Sequence, residues 1–398
     1  MLKHLFKLVW NRKRSSVLLI IEIFFSFIVV FAVVTLGAFY VDNYRQPLGY
    51  TYENVWNISI NMNQVSDDYW SPEQVATVNQ LCLAAREFQE VEEVAGALSA
   101  PYDFGGRTSG MEIHGKNTEA QVNEVTDDFK EVMNLQLVAG RWFEKADDAL
   151  NWQPIVINQK LSQELFGNED PIGKPFEPWS SGEEEIRIIG VVTDFRQGGE
   201  YASLGNYLFE RRKLDDPQQR PPRNLLVKLR PGTTVEFEEK LAERLQAVAK
   251  DWSLEIQPIV QKRESMMKLR LAPVIAAGVI AAFLMIMVGL GLVGVLWQNV
   301  TQRTKEIGLR RAKGATAGKI HIQIWGELLV LTSFGLLIGL IIVVQFPLLN
   351  LIGFISTKVF FIGIISSLVV IYLLTLVAGL YPSWLATKVQ PAEALHYE

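Results

Sequence analysis

The 398-residue chain has a mean hydropathy of +0.16, high for a water-soluble protein, with 20% charged residues and a formal net charge of −5. Its one cysteine, Cys82, excludes an internal disulfide, and His4, His114, His321 and His396 are too scattered for metal-ligand spacing. No basic-aromatic pattern of a nucleic-acid binder is present.

The first stretch, 1–16, carries Lys3, Lys7, Arg12, Lys13 and Arg14 with no acid. Leu2, Leu5, Phe6, Val9 and Trp10 fall on one helical side, which predicts an amphipathic helix lying at a membrane surface. Residues 17–41 follow as an apolar run broken by Glu22. A signal h-region is about 7–15 residues and ends in a small-residue cleavage site. This run is longer and offers no convincing site, so it is expected to stay as a membrane anchor.

Residues 42–270 form a polar block with 38 acids and 25 bases. ENVWNISIN (53–61) predicts a strand. SPEQVATVNQLCLAAREF (71–88) predicts a helix opened by Ser-Pro, with Val75, Val78, Leu81, Cys82 and Ala85 on one face. VEEVAGALSA (91–100) predicts another strand. The same order recurs near the end of the block: NLLVKLRP (224–231), then TTVEFEEKLAERLQAVAK (233–250) with Phe237, Leu241, Leu245 and Val248 on one face, then SLEIQPIV (253–260). Two β-α-β units of similar size predict a ferredoxin-like layer with both helices on one sheet. The stretch between them, about 101–222, is strand-rich and glycine-rich. It includes PIVINQKLSQELFG (154–167), a strand running into a helix that stops at Gly167, the strand RIIGVVTDF (187–195), and the polar return KLDDPQQRPPR (213–223). The acidic pairs Asp127–Asp128 and Asp147–Asp148 and the run Glu183–Glu185 fall in expected loops and read as solvated turns. No nucleophile elbow or zinc-protease pattern is present.

Three further apolar runs, 271–297, 322–346 and 359–381, each exceed the ~20 residues that span ~30 Å of hydrocarbon. With 17–41 they predict four transmembrane helices. Between the second and third lies 298–321, a basic segment with Arg303, Lys305, Arg310, Arg311, Lys313 and Lys319 against Glu306 alone. Its last part, KGATAGKI (313–320), looks like a phosphate-binding loop. A Walker A loop needs four residues between its glycines and a hydroxyl after the lysine. Gly314 and Gly318 are separated by three residues, and position 320 is Ile, so nucleotide binding is not expected there. The connection 347–358 holds only Lys358, and 382–398 closes the chain.

The positive-inside rule places both basic segments in the cytoplasm. Residues 42–270 are then exported, 347–358 is a short outer loop, and both termini lie inside. Trp10, Tyr40, Tyr44, Trp297, Tyr381 and Trp384 sit where an aromatic belt would place them. Glu22 and Glu327 are the intramembrane carboxylates, expected to pair with cytoplasmic-side bases and stiffen the helices. Gly335 and Gly339 form a GxxxG that would let a neighbouring helix come close.

Several stretches together resemble a known family. FKEVMNLQLVAGRWFEKADD (129–148), PIVINQKLSQELFG-NEDPIGKPF (154–176) and IRIIGVVTDF (186–195) are similar to the MacB-type periplasmic core domain. QRTKEIGLRRAKGATAGKI (302–320) and YPSWLATKVQPAEALHYE (381–398) resemble the FtsX-type permease domain. One span before the large domain and three after complete the likeness to a MacB/FtsX-like ABC transporter permease. The resemblance implies an α-helical membrane protein of the bacterial inner membrane with four transmembrane helices and a large periplasmic α+β domain. That domain would comprise a ferredoxin-like porter part (about 53–100 and 223–262) and an inserted, strand-rich, sabre-like part (about 101–222). It further implies a dimer with a second permease copy or a paralogue, and a cytoplasmic ABC ATPase subunit that uses ATP and Mg, with no cofactor bound by this chain. A periplasmic adaptor and an outer-membrane channel are partners that the family also admits.

Taken alone, the basic segment 298–321 enforces topology and binds anionic lipid. With the resemblance it becomes a coupling lever. Arg303, Lys305, Glu306, Arg310 and Arg311 then offer charged contacts to the ATPase, and Gly308 and Gly314 allow close approach or a turn. The expected function is transmission of ATP-driven motion to the periplasmic domain for efflux or extraction of a substrate. An FtsX-like regulator of a cell-wall hydrolase and a membrane-anchored ligand sensor are the alternatives. No catalytic residue is expected in this chain.

Overall fold

Ser71 opens the first helix of the large domain with a reciprocal cap: its hydroxyl accepts from the Gln74 amide at 3.2 Å, and Gln74 accepts from the Ser71 amide at 2.8 Å. Such a box satisfies two of the amide donors that a helix start leaves unpaired. The computed structural model describes residues 13–61, 71–113, 116–176, 185–214, 222–349 and 355–388. The amphipathic segment expected before residue 13, most of the proline-rich return, part of the outer loop and the closing residues after 388 lie outside them. The chain divides into two compact units, Met1–Asp42 with Leu271–Glu398, and Asn43–Arg270.

In chain order the helices are α1 (Lys13–Tyr44), α2 (Pro72–Arg86), α3 (Phe129–Met133), α4 (Gln159–Phe166), α5 (Phe237–Val248), α6 (Ile259–Gln302), α7 (Thr304–Ala312), α8 (Ala317–Val343), α9 (Gln345–Leu348) and α10 (Thr357–Thr387). The strands are β1 (Val55–Asn61), β2 (Val91–Ala97), β3 (Arg107–Ile113), β4 (Lys116–Val125), β5 (Leu137–Gly140), β6 (Gln153–Asn158), β7 (Ile186–Val192), β8 (Asn206–Arg211), β9 (Asn224–Leu229) and β10 (Ser253–Pro258).

Among the described residues of the Asn43–Arg270 unit, all ten strands share one sheet, in the order β10-β1-β9-β2-β4-β8-β6-β7-β5, with β3 paired to β4. The first four of that order are antiparallel and come from the two β-α-β halves, β1-α2-β2 and β9-α5-β10, interleaved as a ferredoxin-like layer requires. Helices α2 and α5 pack on each other and cover one face, burying Val78, Leu81, Leu241 and Leu245 against Ile58, Leu225 and Val227. The inserted stretch is hydrogen-bonded into the same sheet. Ala97 of β2 pairs with Val125 of β4, and the mixed strands β4, β8, β6, β7 and β5 continue outward. A second core, centred on Phe129, Trp142, Phe195, Tyr207 and Phe209, fills the insertion with rings at centroid distances of 4.7–6.3 Å.

Among the described residues of the other unit, four helices are long and apolar enough to cross a membrane. Their common core joins Leu19, Ile23 and Phe27 of α1 to Val288 and Leu292 of α6, Leu328 and Leu336 of α8, and Ile364 and Ile371 of α10. Two helices differ from the sequence reading at their ends. The strand expected over 253–260 stops at Pro258, and α6 begins at Ile259, ahead of the expected span. The lever expected within 298–321 is divided, because α6 ends at Gln302 and α7 starts afresh at Thr304.

Candidate functional site

KGATAGKI is a helix stop followed by a helix start. Gly314 adopts φ +89°, the left-handed conformation that glycine tolerates best. The Ala315 amide donates to the Arg310 carbonyl and the Gly314 amide to the Arg311 carbonyl, each at 3.0 Å. These two bonds are the Schellman pattern that ends α7. Thr316 is extended and precedes α8, whose first amides at Lys319 and Ile320 return to the Thr316 carbonyl. The turn therefore folds α7 back beside the start of α8.

What joins those two helices is a chain of polar contacts. Glu306 accepts from Arg310 at 2.6 Å, one helical turn apart. Arg310 also donates to the Gln323 carbonyl oxygen on α8. The Gln323 amide donates to Glu327 at 3.2 Å, and Arg303 Nη1 reaches both Glu327 oxygens at 2.8 Å. Arg303 and Glu327 are largely buried, with side-chain exposures of 13% and 15%. Together with Leu296, Val300, Ile307, Ile320 and Ile324 they line a cavity of about 30 Å³. Beyond it, Arg311 donates to the Thr387 carbonyl at the end of α10 at 2.5 Å. Gly308 is buried on α7, while Lys305, Lys313 and Lys319 are exposed.

Of the residues that the sequence singles out, Arg303, Glu306, Arg310 and Glu327 are thus brought together, and Arg311 and Gly314 brace the same elbow. Gln323 escaped the sequence reading. Its spacing of four from Glu327 puts the two on one helix face, but its link to Arg310 crosses a turn that spacing does not reveal. Glu22 is set apart from this cluster. Its carboxylate lies against α6, where a Cβ added at Gly291 would meet Glu22 Oε2 at 2.7 Å. Gly335 and Gly339 receive α1: a Cβ at Gly335 would come within 2.8 Å of Ile23 Cγ2, and one at Gly339 within 2.4 Å of Phe27 Cδ1. Trp297 stacks on Tyr381 at 5.8 Å, and Lys388 sits 3.7 Å from the Trp384 ring.

The acidic pairs of the large unit are ion-paired, which corrects the reading of them as solvated turns. Asp127 takes two bonds from Arg211, both 2.7 Å, and Asp148 takes one at 2.6 Å. Asp128 accepts from Arg86 at 2.6 Å. Asp147 is buried, with two bonds from Arg141 at 2.9 and 2.5 Å and a third from the Glu144 amide at 2.9 Å. Burial pushes the Asp147 carboxyl up, yet these donors outweigh it and hold the group below the usual carboxylate range. Glu185, the described end of the third acidic run, pairs with Arg187 at 2.9 Å.

Residues 16–246 match the MacB-like periplasmic core domain, and residues 278–391 match the FtsX-like permease C-terminal domain. The ABC transporter permease YknZ of Bacillus subtilis (strain 168), itself uncharacterized, is 26% identical over 311 residues, 72% of this chain and 72% of that protein. The macrolide export ATP-binding/permease protein MacB of Bdellovibrio bacteriovorus is 26% identical over 334 residues, 78% of this chain and 49% of that protein. The chain thus spans about half the length of that relative. Among solved structures, the periplasmic region of MacB from Actinobacillus actinomycetemcomitans aligns with 55% of this chain and 94% of its own, at 16% identity and a TM-score of 0.37. The core-domain match takes in more than half of the chain, and the chain therefore belongs to the MacB-like periplasmic core domain family: it is a membrane-embedded ABC transporter permease of the MacB/FtsX type.

Proposed function

We propose that this permease transmits ATP-driven conformational change from a partner ATPase in the cytoplasm to its exported domain, and so drives efflux or extraction of a substrate from the periplasm. The observation that carries the reading is the elbow. A short helix, α7, is fastened to α8 through Arg310–Gln323 and, at the residue that precedes it, through Arg303–Glu327. A push on α7 is then a push on the membrane helices rather than on a loose loop. Exposed Lys305 and the outward Glu306–Arg310 pair give the ATPase a charged surface to grip.

We assign ATP and Mg to the partner. KGATAGKI is occupied by helix-ending bonds, and the relative named a permease is matched over more of its length than the ATP-binding/permease relative. The chain is placed in the bacterial inner membrane with its basic segment and both termini inside, as the positive-inside rule directs. It works as a dimer with a second permease copy or paralogue, with a periplasmic adaptor and an outer-membrane channel completing the export route.

The test is recovery from membranes in mild detergent. The chain should bring an ATPase subunit with it, whereas recovery alone with ATP hydrolysis of its own would sink the reading. Replacing Glu306 and Arg310 together by Ala should lower complex assembly or ATP-driven output while insertion persists. Unchanged coupling would remove the elbow from the mechanism.

A further inference from the structure

The loop between β7 and β8, sequence DFRQGGEYA (194–202), holds two groups that no local role explains. Arg196 is a buried cation, 3% exposed, and among the described residues no carboxylate pairs with its guanidinium. Its Nη1 donates to the Asn43 carbonyl at 2.7 Å and to the Gln46 carbonyl at 3.3 Å. Its Nη2 donates to the Glu200 carbonyl at 3.0 Å and to the Ala202 carbonyl. The Arg196 amide also donates to the Leu48 carbonyl at 3.0 Å. Asn43 lies in the last turn of α1, where carbonyls have no helical partner and a positive donor is favoured. Burial disfavours the charged form of Arg196, and a planar fork of donors is the side chain best shaped to take several carbonyls at once.

Four residues on, Glu200 is also buried, 7% exposed. Its Oε1 accepts from Arg263 Nε at 2.5 Å, and its Oε2 accepts from the Tyr102 hydroxyl at 3.3 Å. Arg263 belongs to the first turns of α6, and its guanidinium also lies over the Tyr52 ring at 5.2 Å. Lys262, its neighbour, pairs with Asp103. Gly199 makes room for this: at φ +80°, a Cβ there would strike the Tyr102 ring at 2.3 Å. Tyr201 stacks on Tyr44, the last residue of α1, at 5.8 Å. All these contacts lie inside the Asn43–Arg270 unit. Both helices they hold are continuous along the chain with candidate membrane spans.

We infer that loop 194–202 is a yoke: Arg196 grips the end of α1, Glu200 grips the beginning of α6, and the exported sheet follows the two helices only as a pair. Arg196 and Glu200 are positioning residues in this account, and their mechanical role rests on the function proposed above. A single loop fastened to both helices turns a relative shift between them into a rotation of the strands that the loop connects, β7 and β8. With either grip released, the helices still move but the sheet does not receive the motion.

The experiment uses the full chain in lipid nanodiscs with its co-purified ATPase, spin-labelled at Val235→Cys and Leu348→Cys, both highly exposed sites. Cys82 stays unlabelled because burial pushes its thiol up to about 12. With MgATP the 235–348 distance distribution should change in the otherwise unaltered chain. In Arg196→Met and in Glu200→Arg, ATP turnover should stay within about twofold while the ATP-dependent change shrinks about fivefold or more, the low end of coupling between distant sites. Reversing the pair, Glu200→Arg with Arg263→Glu, should restore the response, which a general loss of stability would not allow. Should Arg196→Met fail to insert, the Glu200 single and reversed variants carry the test. Full response in Glu200→Arg, or no rescue in the reversed pair, overturns the inference. Amide hydrogen exchange on the chain without ATPase gives an independent reading. Arg196→Met should speed exchange over both 43–50 and 194–202, and unchanged exchange there overturns the yoke. If the unaltered chain shows no ATP-dependent change, the proposed transmission fails, and exchange alone then decides whether the loop grips the two helices.

Discussion

The two units are built from similar side chains against different alternatives. In the Asn43–Arg270 unit the unfolded alternative is water, so burying Phe129, Phe195 and Phe209 contributes at roughly 25 cal/mol per Å² of apolar surface. In the membrane helices the alternative is lipid, which is as apolar as leucine, and association must come from close packing and from polar bonds between helices. The contacts match that division. Glycines 335, 339, 363 and 379 each meet a neighbouring helix where a Cβ would not fit without a shift. Thr332 bonds Thr375 at 3.1 Å, Ser333 bonds Tyr372 at 3.0 Å, and Arg303 bonds Glu327. Large-to-small changes should therefore hurt the exported unit, and small-to-large changes or lost polar partners should hurt the membrane unit.

The largest effect is expected from Phe209→Ala. The ring is fully buried among Phe129, Trp142, Phe195 and Tyr207, and its loss should cost about 3–5 kcal/mol, read by denaturant unfolding of the full chain in detergent. A cost under about 1 kcal/mol would mean that the insertion core collapses around the gap. Next is Glu327→Ala, which strands Arg303 and should cost about 3 kcal/mol. Replacing both by apolar residues, Arg303→Met with Glu327→Leu, should come much closer to neutral in a thermal melt while lowering ATP-driven output. If the double variant melts as low as the single one, the pair is holding more than its own charges. Gly339→Leu should cost about 1–3 kcal/mol by displacing Phe27, and Gly339→Ala less. A neutral Gly339→Leu would show that α1 and α8 can separate freely.

The same division explains what was legible beforehand. Apolar runs longer than about 20 residues announce spans without any partner, and the Ser71 cap and the helical face of Val75, Val78 and Leu81 announce α2 from neighbouring residues alone. The β-α-β halves repeat a local pattern, and their interleaving follows from known layer geometry. The single-sheet insertion was not legible, because it hangs on Ala97 pairing with Val125 and on β8 lying beside β4, neither with a local signal. Asp127 and Asp148 looked like free loop acids because their partner Arg211 is 84 and 63 residues away. At the elbow, Arg303 and Glu327 were each visible as charges next to spans. Their bond crosses 24 residues and a glycine turn, so only the fold joins them. The start of α6 was misplaced because SLEIQPIV alternates like a strand through Val260, while Pro258, with no amide to donate, is where the ladder stops.

The smallest effect expected is a pH dependence inside the Asn43–Arg270 unit. Asp147 is held below the ordinary carboxylate value near 3.9 by Arg141 and the Glu144 amide, against the upward push of burial. Its folded form therefore binds its proton less readily than its unfolded form. The stability this contributes is fully present above the ordinary value and is lost as pH falls through the lower, folded value. Glu210 has the opposite sign: burial raises its carboxyl in spite of Arg107, so its contribution favours acid. The whole-chain acid curve mixes both, and a difference isolates one. Asp147→Asn should lie below the unaltered chain at neutral pH, and the gap should narrow as pH drops below about 4, read by thermal melts in parallel buffers. A gap for Asp147→Asn that is constant with pH would mean that Arg141 holds the loop by packing and not by charge.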